Sequence, residues 1–249
     1  MKVVCGLALS VALAFTVVQL SRADSSVNQD TQADKAFAKY GLTGKGVIIA
    51  ILDRGIDYTH PDFRNSDGTT RIKMMWDMSG QNLCASSNPA PIAYTEAQIN
   101  QALKTTTPLG ERDAVGHGTV SAGIAAGNGR AVLPSSSQYA GIAPEADLLI
   151  VKVTSEGAPA HGSQAAEAPF QGCLSQALDL VTQEAKRLAE PIAALINSGT
   201  QWGPIDGTSA VSEKINQDFG SNNSGHVYVE ASGDEGNLAN HARATYQGG

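Results

Sequence analysis

The stretch VIIAILDRGIDYTHPDF (47–63) joins an apolar, β-rich run to a polar turn that begins at Asp53. Three later runs share its apolar composition: DLLIVKV (147–153), AALIN (193–197) and VYVEAS (227–232). Strands that read as continuous apolar runs are typical of a parallel sheet that is buried on both faces. The sequence therefore predicts a three-layer α/β fold, with a mostly parallel sheet covered by helices on both faces.

Helical patterns alternate with these predicted strands. The first begins at His117, as HGTVSAGIAAG. The second lies within 171–189, where leucine and valine recur at helical spacing, and the third follows Ser209. A further helix, DKAFAKYGL (34–42), precedes the first strand. A chain of 249 residues with 42% hydrophobic composition suffices for one domain of this kind, which we expect to occupy residues 33–249.

Residues 64–112 break the alternation of strand and helix. They contain clusters of glycine, serine, asparagine and proline, together with one candidate strand at 71–78. A short helix is also expected there, because its start, Thr95 to Gln98, fits a capping box. We interpret the segment as a surface insertion that shapes a cleft.

Residues 1–23 have the pattern of a secretory signal peptide, with a charged start, an apolar run and small residues at Ser21 and Ala23. Cleavage after Ala23 would leave a short segment, 24–32, before the domain. An uncleaved membrane anchor is the alternative, since the 18 residues from Val3 to Leu20 nearly suffice to span a bilayer. The small residues favour cleavage, and we expect export without a stable membrane anchor.

The net charge limits the classes of binding partner, and the cysteine count limits the possible disulfides. The formal net charge is −7, and removal of Lys2 and Arg22 with the signal leaves −9, which argues against nucleic acid as a partner. Of the three cysteines, Cys5 leaves with the signal, so only Cys84 and Cys173 can form a disulfide. Two separate thiols agree with the sequence equally well.

Polar residues that carry chemistry stand at the ends of predicted strands and at one helix start. Asp53 follows the first strand, Asp234 follows the last, and His117 opens a helix of small residues. In open parallel sheets, ligands bind beyond the carboxyl ends of the strands. A carboxylate that accepts the Nδ1 proton of a histidine leaves Nε2 free to take a proton from a hydroxyl nucleophile. Asp53 and His117 are therefore predicted to form such a general base.

Four motifs, in this order, resemble those of the subtilisin-like serine proteases (subtilases, peptidase S8). They are LDRGIDYTHPDF (52–63), GHGTVSAGIAAG (116–127), GIAPEADLLIVKV (141–153) and ASGDEGN (231–237). One such motif alone is weak evidence, but four in the family's order are specific. The resemblance implies the subtilisin-like fold and hydrolysis of peptide bonds.

The same resemblance implies roles for individual residues. Asp53 and His117 match the acid and the base of the family's Asp-His-Ser triad. Asp234 matches the residue that helps to hold the oxyanion. The stretch after the third apolar run resembles a substrate-binding strand, with a peptide-lining role for three consecutive residues: Ser198, Gly199 and Thr200.

Gly207-Thr208-Ser209 looks like the GTS that carries the family's nucleophile, but it precedes Asp234, whereas the family's serine follows the oxyanion motif. The residues after it, AVSEKINQDF (210–219), predict an amphipathic helix for which Thr208 or Ser209 is the N-cap. No second GTS occurs in the 15 residues after Asp234. We therefore expect the nucleophilic serine to be missing from this chain and the domain to be incomplete at its C-terminus.

At position 234 the family usually has asparagine. An ionised aspartate there would repel the developing oxyanion, and the loss of one such donor costs on the order of 10²–10³ in turnover. A protonated aspartate can still donate, and acid-active relatives resemble this sequence in that respect. We expect the enzyme to favour acidic pH, unless Asp234 is a simple turn residue.

These observations predict a secreted serine endopeptidase that acts on peptide or protein substrates. The alternative is a catalytically inactive subtilase-like module that binds peptides. A nucleotide-binding protein is disfavoured, because no glycine-rich phosphate loop follows the first strand. No cofactor is required; relatives often bind structural calcium, although no loop here has a clear calcium pattern. Asp57, His60 and Asp62 offer a metal site as an alternative to a plain loop, and we expect none.

Overall fold

Six strands form a single sheet in the computed structural model, which describes residues 31–79, 90–105, 107–132, 139–154, 164–197, 204 and 206–231. Their bounds are β1 Ile48–Asp53, β2 Ile72–Asp77, β3 Ile92–Thr95, β4 Asp147–Lys152, β5 Ile192–Ile196 and β6 His226–Glu230. They lie in the order β3-β2-β4-β1-β5-β6. The four predicted apolar runs are thus confirmed as strands.

The sheet is parallel except at one edge. β1 pairs in parallel with β4 and β5, and parallel pairing continues from β4 to β2 and from β5 to β6. Only β3 is antiparallel, and it pairs with β2. The register places Asp53 beside Lys152, so the ends of β1 and β4 lie at the same edge of the sheet.

Five α-helices occur within the described ranges: α1 Ala33–Tyr40, α2 Glu96–Lys104, α3 His117–Ala126, α4 Gln164–Leu188 and α5 Ala210–Phe219. Short 3-10 turns lie at Pro61–Phe63 and Arg130–Val132. α4 starts earlier than the predicted residue 171. Pro169, between the two starts, is a residue type that usually interrupts helices, and this weakens the sequence signal there.

Helices cover both faces of the sheet, as predicted. Alternate residues of β1 point to opposite faces, so Leu52 packs in one apolar cluster and Ile51 in the other. The first cluster contains Leu178 of α4 and Ile215 of α5, while the second contains Ala122 of α3. α3 therefore lies on one face, and α4 and α5 lie on the other.

The interpretation of 64–112 as a surface insertion is wrong for residues 72–77. The candidate strand there is β2, which lies inside the sheet between β4 and β3. Ile72 and Met75 are fully buried in the same apolar cluster as α3. The predicted capping box is confirmed, because Thr95 accepts a hydrogen bond from the Gln98 backbone N–H and begins α2.

Part of the α3 face is bare and apolar. Val120 and Ile124 of α3 are 60% and 59% exposed, and Val227 and Val229 of β6 are 53% and 46% exposed. The two valines share the α3 side with Leu195, since Leu195 pairs with Val229 and packs in the α3 cluster. We call these five residues the apolar shelf. It runs from the outer side of α3 across β5 to β6.

Candidate active site

Asp53 is the last residue of β1, and its side chain is almost completely buried. Its Oδ1 accepts a hydrogen bond from the Arg54 backbone N–H at 2.7 Å and lies 2.6 Å from His117 Nδ1. Because an ionised carboxylate can only accept, the short contact places the proton on Nδ1. The strand end therefore holds the carboxylate rigidly against one edge of the imidazole.

His117 is the first residue of α3, and its side chain is 40% exposed. Gly116 precedes it with φ +80°, a left-handed conformation that glycine adopts easily. The carboxylate of Asp113 accepts from the backbone N–H groups of Gly116 at 2.9 Å and Thr119 at 2.8 Å. A carboxylate that accepts from these free N–H groups stabilises the helix N-terminus. It therefore fixes the residue at which α3 begins and, with it, the position of the His117 side chain.

Close backbone contact joins α3 to the residues after Asp53. A methyl group added to Gly118 would lie 2.1 Å from the Gly55 carbonyl oxygen and 3.2 Å from Asp53 Cβ. Thr119 Oγ1 also accepts a hydrogen bond from the Asp57 backbone N–H at 2.8 Å. The helix thus rests directly on this turn, and only glycine fits at position 118.

Charged groups are buried behind Asp53. Lys152, its neighbour in register on β4, is buried and donates to the Arg112 carbonyl oxygen. Glu111 is 1% exposed, and its Oε1 accepts from the Ile56 backbone N–H at 3.0 Å. Burial raises the pKa of Glu111 to about 7.

A groove of about 480 Å³ opens beside His117, between α3 and the end of β5. Val120, Ile124 and Leu195 of the apolar shelf line it. At its polar end Asn197 Nδ2 donates to Ser121 Oγ at 2.9 Å. The exposed side of the imidazole therefore faces a mainly apolar groove at the carboxyl end of the sheet.

A profile of the subtilase family, peptidase S8, matches residues 44–248. The chain belongs to the subtilase family. It is 25% identical over 218 residues to the PI-type proteinase of Lactococcus lactis subsp. cremoris, a match that covers 79% of this chain and 11% of that protein. It is 33% identical over 126 residues to the major intracellular serine protease of Bacillus subtilis, which covers 49% of this chain and 28% of that protein.

Solved subtilase structures agree with this assignment. The CspB protease of Clostridium perfringens superposes with a TM-score of 0.70 at 28% identity, over 84% of this chain and 40% of that one. This similarity confirms the subtilisin-like α/β fold. This subtilase chain is 30% identical over 135 residues to the PII-type proteinase of Lacticaseibacillus paracasei. The match covers 52% of this chain but only 7% of the length of that proteinase.

The predicted site residues of this subtilase divide into three groups. Asp53 and His117 are in contact through Oδ1 and Nδ1. Ser209 is the N-cap of α5, where it accepts from the Ser212 backbone N–H at 3.1 Å. The remaining predicted residues lie outside the described residues: Ser198, Gly199, Thr200 and Asp234.

The structure also describes the residues of the possible metal site and one of the two cysteines that could form a disulfide. Asp57, His60 and Asp62 do not form a three-ligand group, although His60 Nδ1 lies 3.9 Å from Asp62 Oδ2. His60 Nδ1 accepts from the Asp62 backbone N–H, and Asp62 Oδ1 accepts from the Ala131 backbone N–H. Within the described ranges, no three such side chains are arranged to hold a metal ion. Cys173 is disulfide-bonded to a cysteine outside the described residues.

Two features of the chain concern export and membrane attachment. The predicted signal peptide, 1–23, lies outside the described residues. Among the helices that the structure describes, none is both long and apolar enough to cross a membrane.

Three residues of the site had no individual role predicted from the sequence: Asp113, Glu111 and Gly118. A signal for Asp113 was present, because an aspartate shortly before a predicted helix is a common capping residue. Gly118 and Glu111 had no comparable signal. Their roles depend on contacts with the turn after Asp53, more than 50 positions away in sequence.

Proposed function

We propose that this subtilase chain forms the first part of the catalytic domain of an exported serine endopeptidase. In this proposal His117 is the general base and Asp53 orients it. The observation that carries the proposal is the 2.6 Å contact between Asp53 Oδ1 and His117 Nδ1 beside an open groove.

The geometry suits proton transfer. With its Nδ1 proton donated to Asp53, the imidazole has an unprotonated Nε2 that can take a proton from a serine hydroxyl as that oxygen attacks a peptide carbonyl. The buried carboxylate then stabilises the imidazolium, which returns the proton to the leaving amine. The acyl-enzyme is hydrolysed by the same two steps with water as the nucleophile.

We place the nucleophilic serine outside these 249 residues. Ser209 already caps α5, which packs on the face of the sheet opposite to α3. The apolar shelf next to His117 offers a surface for a helix of small residues that would carry the serine, as the family pattern implies. Contiguous exposed apolar side chains can mark an interaction surface.

The other site assignments belong to the same proposal. We assign oxyanion contacts to Asp234, with a preference for acidic pH, and peptide contacts to Ser198, Gly199 and Thr200. A peptide or protein is the substrate, and no organic cofactor is needed. Export through the signal at 1–23 agrees with one relative, the minor extracellular protease Vpr of Bacillus subtilis.

A fluorophosphonate probe, which labels only activated serines, tests the proposal. The 249-residue chain should remain unlabelled, while the chain extended by the sequence that follows in its gene should be labelled. H117A and D53A in the extended chain should abolish labelling, and S209A should leave it unchanged.

Two outcomes would contradict the proposal. Labelling of the 249-residue chain that S209A removes would make Ser209 the nucleophile. Peptide binding by an extended chain that no probe labels would instead favour the inactive peptide-binding module.

A further inference from the structure

Glu111 is a buried carboxyl group that the proposed reaction does not use. It lies on the segment that leads to His117, yet its hydrogen bond crosses to Ile56, in the turn after Asp53. Its other oxygen, Oε2, is buried without a hydrogen-bond partner among the described residues. A buried carboxyl with one oxygen unsatisfied is costly, which suggests a role other than stability.

The turn that Glu111 holds is the one on which α3 rests. Gly55 has φ +107°, and a methyl group there would lie 2.2 Å from Glu111 Oε1. On its other side, the Gly55 carbonyl oxygen is in contact with Gly118. Contacts therefore run without a gap from Glu111 through this turn to the first residues of α3, which carry His117.

The charges around Glu111 oppose one another. Lys152 on β4 favours the ionised form, whereas Asp77 at the end of β2 and Asp113 on its own segment favour the protonated form. The Ile56 N–H stabilises the ionised carboxylate, but burial is the larger effect and raises the pKa to about 7. Glu111 thus changes charge near neutral pH, in the range where a histidine base operates.

We propose that Glu111 is a positioning residue for the Asp53–His117 pair, which it orders through the Ile56 N–H and releases when it becomes protonated. An ionised acceptor makes a hydrogen bond roughly twice as strong as a neutral one, so ionisation tightens the turn against α3. The proposal extends the proposed function, because it concerns the same pair. It does not require that the chain hydrolyse peptides.

The test is an NMR titration of the 249-residue chain between pH 5 and pH 9. In the wild type, the Ile56 amide resonance should move in one step centred near pH 7. In E111Q, which keeps a neutral acceptor, the Ile56 step should vanish. The His117 Nδ1 proton should resonate at the same position in E111Q and in the wild type below pH 7 and at different positions above it, because any protonation of the imidazole itself cancels in this comparison. E190Q is the matched control, since Glu190 is a partly buried carboxyl between α4 and β5, and it should behave like the wild type.

Several results would overturn the proposal. The Ile56 resonance could stay constant with pH in the wild type, or E111Q could retain the Ile56 step. An Ile56 step in the wild type, without any pH-dependent difference between the wild type and E111Q in the His117 ring proton, would make Glu111 a purely structural group. If E111Q does not fold, the wild-type titration of the Ile56 resonance still decides whether Glu111 releases this turn on protonation. Because no readout depends on a nucleophile, failure of probe labelling in the extended chain would count against the protease assignment alone.

Discussion

Replacement of Gly118 by alanine tests whether close packing of α3 creates the Asp53–His117 contact. The added Cβ would lie 2.1 Å from the Gly55 carbonyl oxygen, and real contacts of this kind essentially never fall below 3.0 Å, so the two must separate by about 0.9 Å. If α3 moves by that amount as a unit and away from Asp53, the distance from Nδ1 to Oδ1 grows from 2.6 Å to at most about 3.5 Å. This exceeds the usual range of about 2.7–3.2 Å for an N–H···O bond.

Gly123 provides the control within the same helix, since nothing lies within 4 Å of a methyl group added there. G123A should raise the free energy of unfolding by about 0.5–1 kcal/mol, because alanine loses less backbone entropy than glycine in a helix. In G118A, overpacking of about 1–3 kcal/mol opposes this gain. We therefore expect G118A to be less stable than G123A by about 1–3 kcal/mol.

Urea denaturation measures the stability difference, and the NMR signal of the His117 Nδ1 proton reports on the contact itself. The ring proton should be lost or shifted in G118A and unchanged in G123A. Equal stability of the two variants, together with an intact ring proton in G118A, would refute the idea that this glycine sets the distance between the pair.

Three further predictions concern stability. Folding raises the pKa of Glu111 from its ordinary 4.5 to about 7. The contribution of Glu111 to the free energy of unfolding is therefore complete below pH 4.5 and is lost as pH rises through 7, a change of about 3 kcal/mol. In E111Q, a plot of unfolding free energy against pH should lose this decline. S209A should lower the unfolding free energy by about 1 kcal/mol in thermal or urea melts, because α5 loses its cap, and an unchanged value would disprove the capping role. The buried Arg71 donates to the carbonyl oxygens of Asp62, Ala126 and Ala146. R71M leaves these acceptors unpaired and should lower the free energy of unfolding by about 3 kcal/mol or more. A decrease below about 1 kcal/mol in urea denaturation would show that water replaces the guanidinium.

Local patterns explain which parts of the fold could be predicted. The runs at β1, β4 and β5 are largely apolar, and a strand with both faces covered requires that composition. α5 shows its one-sided apolar pattern and its cap within eleven consecutive residues, 209–219. β2 was a candidate strand as well, but its place inside the sheet depends on pairing with β4, some 75 residues later.

The chemistry of the site divides in the same way. By itself, the sequence determined that Asp53 ends a strand and His117 begins a helix of small residues, because strand burial and helix initiation depend on neighbouring residues. Only the tertiary structure decided that Glu111 and Lys152 lie buried behind Asp53, since charged side chains are normally exposed. Their burial follows from strand register and from the turn at Gly55, which join residues far apart along the chain.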